Sequence, residues 1–179
     1  MTPEVQQLVH VLRAHVPVDD RERDSIERFV QLAAPLRDPF NENADPVHIT
    51  ASAILVTDAG DRTALHLHKR LNMWLQPGGH IEAGETPADG ALREAIEEIG
   101  VPARHERDGG LFFHIDVHAG PKGHTHLDLR YLVRSPEVAP QPADGESREV
   151  GWFGWEEAMG MADAGLVGAL AAARALLGQ

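Results

Sequence analysis

The chain has 179 residues, a formal net charge of −12 and no cysteine. Such a length supports one domain with a sizeable core, while the missing cysteine excludes disulfides and thiolate chemistry. The negative surface repels a nucleic-acid backbone, so nucleic acid is an unlikely partner, and a small anionic substrate is compatible only where cations mask the repulsion. No apolar run approaches the roughly 18 residues of a membrane span. The first segment, MTPEVQQLVHVLRAHV, lacks a basic start followed by an apolar block, so it does not read as a secretory signal and a cytoplasmic location is expected.

Thr2 and Pro3 form a helix-start signal, and Val5, Leu8, Val9, Leu12 and Val16 follow at helical spacing until Pro17. A second helix is expected over about Asp20 to Leu36, with Ile26, Phe29, Val30, Ala33 and Leu36 on one face. These two helices read as an extension over residues 1–40, and the turn-rich DPFNENADP as the junction. HITASAILVT (48–57) reads as a strand with Ile49, Ala51, Ala53 and Leu55 on one face. DAGD turns the chain into TALHLHKR, its antiparallel partner. LFFHIDVH and HLDLRYLV are further strands joined by AGPKGHT, EVGWFGW is the last, and an alanine- and leucine-rich helix from Asp163 closes the chain. Strands mixed with helices around one core predict an α/β sandwich.

The most informative stretch is GHIEAGETPADGALREAIEEIG, Gly79 to Gly100. Thr86 is an N-cap with Pro87 in the first turn, and Gly100 followed by Pro102 ends the helix, which is expected over about Pro87 to Ile99. Residues three and four apart are neighbours on a helix, so Glu94, Glu97 and Glu98 share one arc with only Arg93 to offset them. A solvated acidic face is the plain reading of such a run. A glycine-rich turn bearing Glu85 precedes it, however, and hard divalent cations favour carboxylates gathered on a rigid element.

These residues resemble the signature of the Nudix hydrolases: Gly, five residues, Glu, seven residues, Arg-Glu, an aliphatic, any residue, Glu-Glu, any residue, Gly, an aliphatic. It falls here on Gly79, Glu85, Arg93, Glu94, Ala95, Glu97, Glu98, Gly100 and Val101. Every fixed position agrees, and Ala95 is smaller than the usual aliphatic. The resemblance implies an α/β/α sandwich with a mixed sheet over residues 47–179, with the N-terminal helices outside it. It also implies hydrolysis of a diphosphate linked to another group, such as a nucleoside diphosphate derivative, with Mg2+ or Mn2+ as cofactor. By the same resemblance Glu94, Glu97 and Glu98 are metal ligands together with the Gly79 carbonyl, and Glu85 pairs with Arg93 to hold the loop on the helix. Glu97 or Glu98 within the signature, or Glu146 or Glu149 outside it, is the candidate general base.

Strand alternation places His114, Asp116 and His118 opposite Phe113, Ile115 and Val117, and places His124, His126, Asp128 and Arg130 on one face of the following strand. His66, His68 and Arg70 share a face as well. This histidine-rich face is either solvent-facing, as antiparallel sheets often are, or a substrate pocket. The candidate substrate contacts are His68, Arg70, His80, His126, Asp128 and Arg130. A second metal site at His124, His126 and Asp128 is the alternative use of that face. Trp74 either packs under the glycine turn or stacks on a base. Among competing functions, an isopentenyl diphosphate isomerase shares the resembled fold but normally needs a cysteine. A non-catalytic module sensing a nucleotide or ADP-ribose is the reading from another class. The helical extension is a candidate homodimer interface.

Overall fold

The computed structural model describes residues 1–179. Seven strands form one mixed sheet: β1 Val47–Thr57, β2 Arg62–His68, β3 Met73–Leu75, β4 Gly78–His80, β5 Leu111–Ala119, β6 Thr125–Ser135 and β7 Val150–Gly154. The helices are α1 Pro3–Ala14, α2 Asp20–Ala33, α3 Pro87–Glu94, α4 Trp155–Met161 and α5 Ala164–Leu176, and a π-helical turn, Ala95–Ile99, continues α3. The main path runs β3-β2-β1-β6-β5, with β4 paired to β1 and β7 to β2. β1 and β6 lie parallel along their whole length, His48 opposite His126 and Ser52 opposite Arg130.

Alternation along β1 sorts the core into two layers. Ile49, Ala51, Ala53 and Leu55 face a cluster that includes Ala91, Ala95 and Ile99 of the acidic helix and Val5, Val9, Leu12, Phe29 and Ala33 of α1 and α2. Ile54 and Val56 face the other way, against Trp155, Leu166, Ala169 and Leu170 of the two C-terminal helices. The architecture is therefore the expected α/β/α sandwich. The N-terminal helices belong to it physically, because their apolar faces are spent inside the chain's own core. A dimer interface built on α1 and α2 would have to use their other faces.

Three expectations need correction. The acidic helix runs from Pro87 to Ile99 and stops at Gly100 as expected, but changes to π geometry at Ala95. Phe113 does not share a face with Ile115 and Val117, because the β5–β6 register shifts between Phe112 and His114 and an extra residue at a bulge reverses the alternation. Phe113 accordingly joins the second cluster while Phe112 packs on the first. β4 occupies the stretch read as a glycine-rich turn, α4 begins at the Trp155 expected to end the last strand, and β3 lies where no element was expected.

Candidate active site

Thr86 and Asp89 close a reciprocal capping box at the start of α3: the Thr86 side chain accepts from the Asp89 N–H, and Asp89 accepts from the Thr86 N–H. This fixes where the helix begins, immediately after the loop that leaves β4. Arg93 then ties loop to helix. Its Nε donates to Glu85 at 2.9 Å, its Nη1 to Glu94 at 2.7 Å, and its Nη2 to the His80 carbonyl at 2.8 Å. Burial works against the Arg93 charge, but the bonds to Glu85 and Glu94 outweigh it and raise its pKa. The Glu85–Arg93 pairing implied by the signature is thus present.

Backbone approach at β4 is close. A Cβ on Gly79 would stand 2.5 Å from Glu94 Oε1, and one on Gly78 would stand 2.3 Å from Ser52 Oγ, so only glycine leaves room for those oxygens. The Gly78 N–H donates to Glu98 Oε2 at 2.8 Å. The Glu98 side chain is 12% exposed, and His66 Nε2 lies 3.8 Å from it. Burial, then the nearby carboxylates of Glu94, Glu146 and Glu97, push the Glu98 pKa up to about 8, despite the Gly78 bond. Burial also raises that of Glu94, whereas Glu97 is half exposed. The three carboxylates do not close into one tight set, for the Arg93 guanidinium bridges Glu94 and Glu97.

A cleft of about 790 Å³ opens beside these groups, lined by Glu98, Gly78, Gly79, His68, Arg70 and Glu146 among others. A second hollow of about 700 Å³ holds Glu85, Arg93 and Glu94 and shares Gly79 and His80 with the first. Glu146 lines the cleft and Glu149 does not. His68 Nδ1 accepts from the Arg70 and Leu71 N–H groups, shaping the turn that presents Arg70 to the cleft. Trp74 packs edge-on against Phe153, with ring centroids 5.1 Å apart.

The histidine-rich face is not a solvent face, since His66, His114, Asp116, Asp128 and Arg130 are all buried. Arg130 donates to Asp128 at 3.0 Å and to the Gly165 carbonyl at 2.6 Å, and its Nη2 lies 3.6 Å from Asp116. Asp128 also accepts from Thr50 and Ser52, and Asp116 from Arg21 of α2 at 2.8 Å. Burial opposes the charge of Asp116, yet His118, Arg21 and Arg130 hold its pKa far below the usual carboxylate range. Arg130 and Asp128 therefore line the cleft while bonding mainly to the fold. Burial lowers the pKa of His66 and His126 to about 4 each, aided by neighbouring histidines, so both are neutral at neutral pH.

The expected grouping of His124, His126 and Asp128 is corrected. His124 and His126 gather with His48, and Asp128 is occupied by Arg130, Ser52 and Thr50. His48 was not singled out in the sequence. The signal was available, because alternation that puts Ile49 in the core puts His48, Thr50 and Ser52 on the opposite face. What the sequence withheld was the parallel register that brings His48 opposite His126.

Residues 46–172 match the family described as NUDIX domain. A probable DHNTP pyrophosphohydrolase of Lactococcus lactis subsp. cremoris is 26% identical over 149 residues, covering 78% of this chain and 84% of that protein. The phosphatase NudJ of Escherichia coli K12 is 30% identical over 86 residues, covering 48% of this chain and 54% of NudJ. Among solved structures, a NUDIX-family hydrolase from Clostridium perfringens superposes with a TM-score of 0.61 at 28% identity, covering 72% of this chain and 97% of that one.

Proposed function

Since the chain belongs to the Nudix hydrolase family, we propose that it is a divalent-metal-dependent pyrophosphohydrolase acting on a nucleoside diphosphate derivative or a similar small pyrophosphate. The observation that carries this reading is Glu98: a carboxylate only 12% exposed, oriented by the Gly78 N–H, crowded by other carboxylates and opening onto a cleft of substrate size. The name of the L. lactis relative, a pyrophosphohydrolase, agrees with that class.

The donor set fits a hard cation. Glu94 is held against the glycine strand and paired with Arg93, Glu98 is held by the Gly78 N–H, and oxygen ligands of this kind suit Mg2+ or Mn2+. Glu94, Glu97 and Glu98 would hold it, together with the Gly79 carbonyl. When bound, the cation would screen the phosphate charge, polarise phosphorus and acidify the attacking water.

The chain's own groups do the rest. Arg93 fixes the Glu85 loop on the helix whose Glu98 lines the cleft. Arg70, on the turn held by His68, supplies a cation to an anionic substrate, and His80 and His126 stand at the cleft wall. Glu146 lines the cleft as the base that takes the proton of the attacking water. Positioning and charge compensation dominate phosphoryl transfer of this kind, which is why so few residues need to touch the reacting atoms.

The test is a phosphate-release screen over nucleotides, nucleotide sugars, dinucleoside polyphosphates and ADP-ribose, with Mg2+ and with Mn2+. The expected outcome is turnover by the wild type and a loss of at least about 100-fold in Glu98→Gln and Glu97→Gln, with unchanged circular dichroism. Ligand binding without turnover would instead establish a sensing module of the same fold.

A further inference from the structure

Five imidazoles converge where β1 and β6 begin. His48 lies at the centre, with the ring centroids of His80, His124 and His126 each 5.1 Å away, and His118 stands 5.4 Å from His126. One ring nitrogen each from His48, His124 and His126 falls within 4.8 Å of the other two. No glutamate of the helix takes part in this set.

Two buried nitrogens of this group lack partners. His48 is fully buried, and its Nδ1 lies 3.2 Å from the Asp45 carbonyl, which fixes Nδ1 as the protonated nitrogen. Nε2 is then the lone-pair nitrogen, and it is buried without a hydrogen bond. His126 Nε2 is buried and unpartnered too, while His80 Nε2 lies 3.5 Å from Glu42 Oε2. A buried polar atom left unsatisfied is costly, and the two on His48 and His126 at one place call for a common partner. A carbonyl bond that sets the tautomer of a histidine is also the usual support behind a metal-binding imidazole. The Gly120 backbone packs directly on this ring, since a Cβ there would stand 2.3 Å from His126 Nε2.

We propose that His48, His124 and His126 form a binding site for one transition-metal ion of the zinc class, separate from the glutamate centre. Three imidazole nitrogen donors with no carboxylate select borderline ions such as Zn2+ or Co2+ over Mg2+, which requires oxygen ligands. Tetrahedral zinc with Zn–N bonds of about 2.0–2.1 Å needs its donors closer together than 4.8 Å, so the three nitrogens draw together when the ion binds. Three protein ligands leave a fourth position, and His126 also lines the cleft. The ion clips the start of β1 to the start of β6 and to the loop before it.

The test uses the full chain, stripped of metal, titrated with Co2+ and with Zn2+ in excess Mg2+. The expected result is one equivalent bound, with the intense visible absorption of four-coordinate Co2+. That site is retained in Glu97→Gln/Glu98→Gln and weakened at least tenfold in His124→Ala, a partly exposed position that should fold normally, and in His126→Gln. Absence of a Co2+ or Zn2+ equivalent in the wild type would overturn the proposal. So would its loss in the glutamate double variant, or undiminished affinity in both histidine variants.

Discussion

Glu98 condenses the conflict at the heart of this site. Folding moves its pKa from the ordinary 4.5 to about 8, chiefly by burial. Between those two values the metal-free folded chain holds a proton that the unfolded chain has released. Its contribution is present below about pH 4.5 and is lost as pH rises through 8, with a slope of at most about 1.4 kcal/mol per pH unit. Glu98→Gln removes the titrating group and keeps a similar shape. In metal-free protein, the variant should therefore lose that part of the pH dependence and be at least as stable as wild type at pH 8.5, as read by urea denaturation across pH 5–9. A wild-type stability that climbs steadily from pH 5 to 8 and a variant that matches it would show that Glu98 is ionised throughout.

At the scale of elements, the site hangs on how the acidic helix ends. Continuous α geometry sets successive residues about 100° apart, and a π turn changes that offset, so Glu97 and Glu98 stand differently from Glu94 than heptad-like spacing implies. Gly100 closes the turn with φ +73°, and a Cβ there would overlap the Gln141 carbonyl at 1.9 Å. The segment crossing this point is anchored by Gln141 N–H to the Gly100 carbonyl and Ala143 N–H to the Glu97 carbonyl, and it continues to Glu146 in the cleft. Gly100→Ala combines a disfavoured backbone with a backbone collision and should cost about 3 kcal/mol or more, measured by urea denaturation. A loss below about 1 kcal/mol would mean that the segment yields freely. The start of this helix was legible in the sequence because Thr86, Pro87 and Asp89 act within one turn. Its π end was not, because what crowds Gly100 is a segment some forty residues on. The same contrast separates β1, visible through local alternation, from β3 and β4. Those three-residue strands exist only because β2 and β1 offer partners. The signature located the glutamates, while the polar chain Arg21–Asp116–Arg130–Asp128–Ser52 needs four elements to be brought together before it can be seen.

Across the whole molecule, β5 is a sheet edge, and such an edge presents unpaired backbone groups that invite other strands. Here α2 covers it with side chains. Glu22 accepts from the Ile115 N–H at 3.1 Å, Ser25 accepts from the Val117 N–H at 3.1 Å, and Arg28 donates to the Val117 carbonyl at 2.8 Å. Glu22 also accepts from the Val18 N–H at 2.7 Å and pairs with His15 Nε2 at 2.8 Å, while only 1% exposed. Burial alone would raise its pKa, yet the His15 bond and its other partners bring it below the ordinary carboxylate value. One side chain thus joins α1, the α1–α2 turn and the sheet edge, while its neighbour Arg21 feeds the polar chain that reaches Ser52 beside Gly78. Glu22→Ala leaves the Val18 and Ile115 amides without their acceptor and should cost about 3 kcal/mol. The loss should appear as a lower urea midpoint and as faster hydrogen exchange at Ile115 ahead of Ile49 in the core. If stability changes by less than about 0.5 kcal/mol and Ile115 stays protected, the N-terminal helices are an appendage to the sheet rather than the cover of its edge.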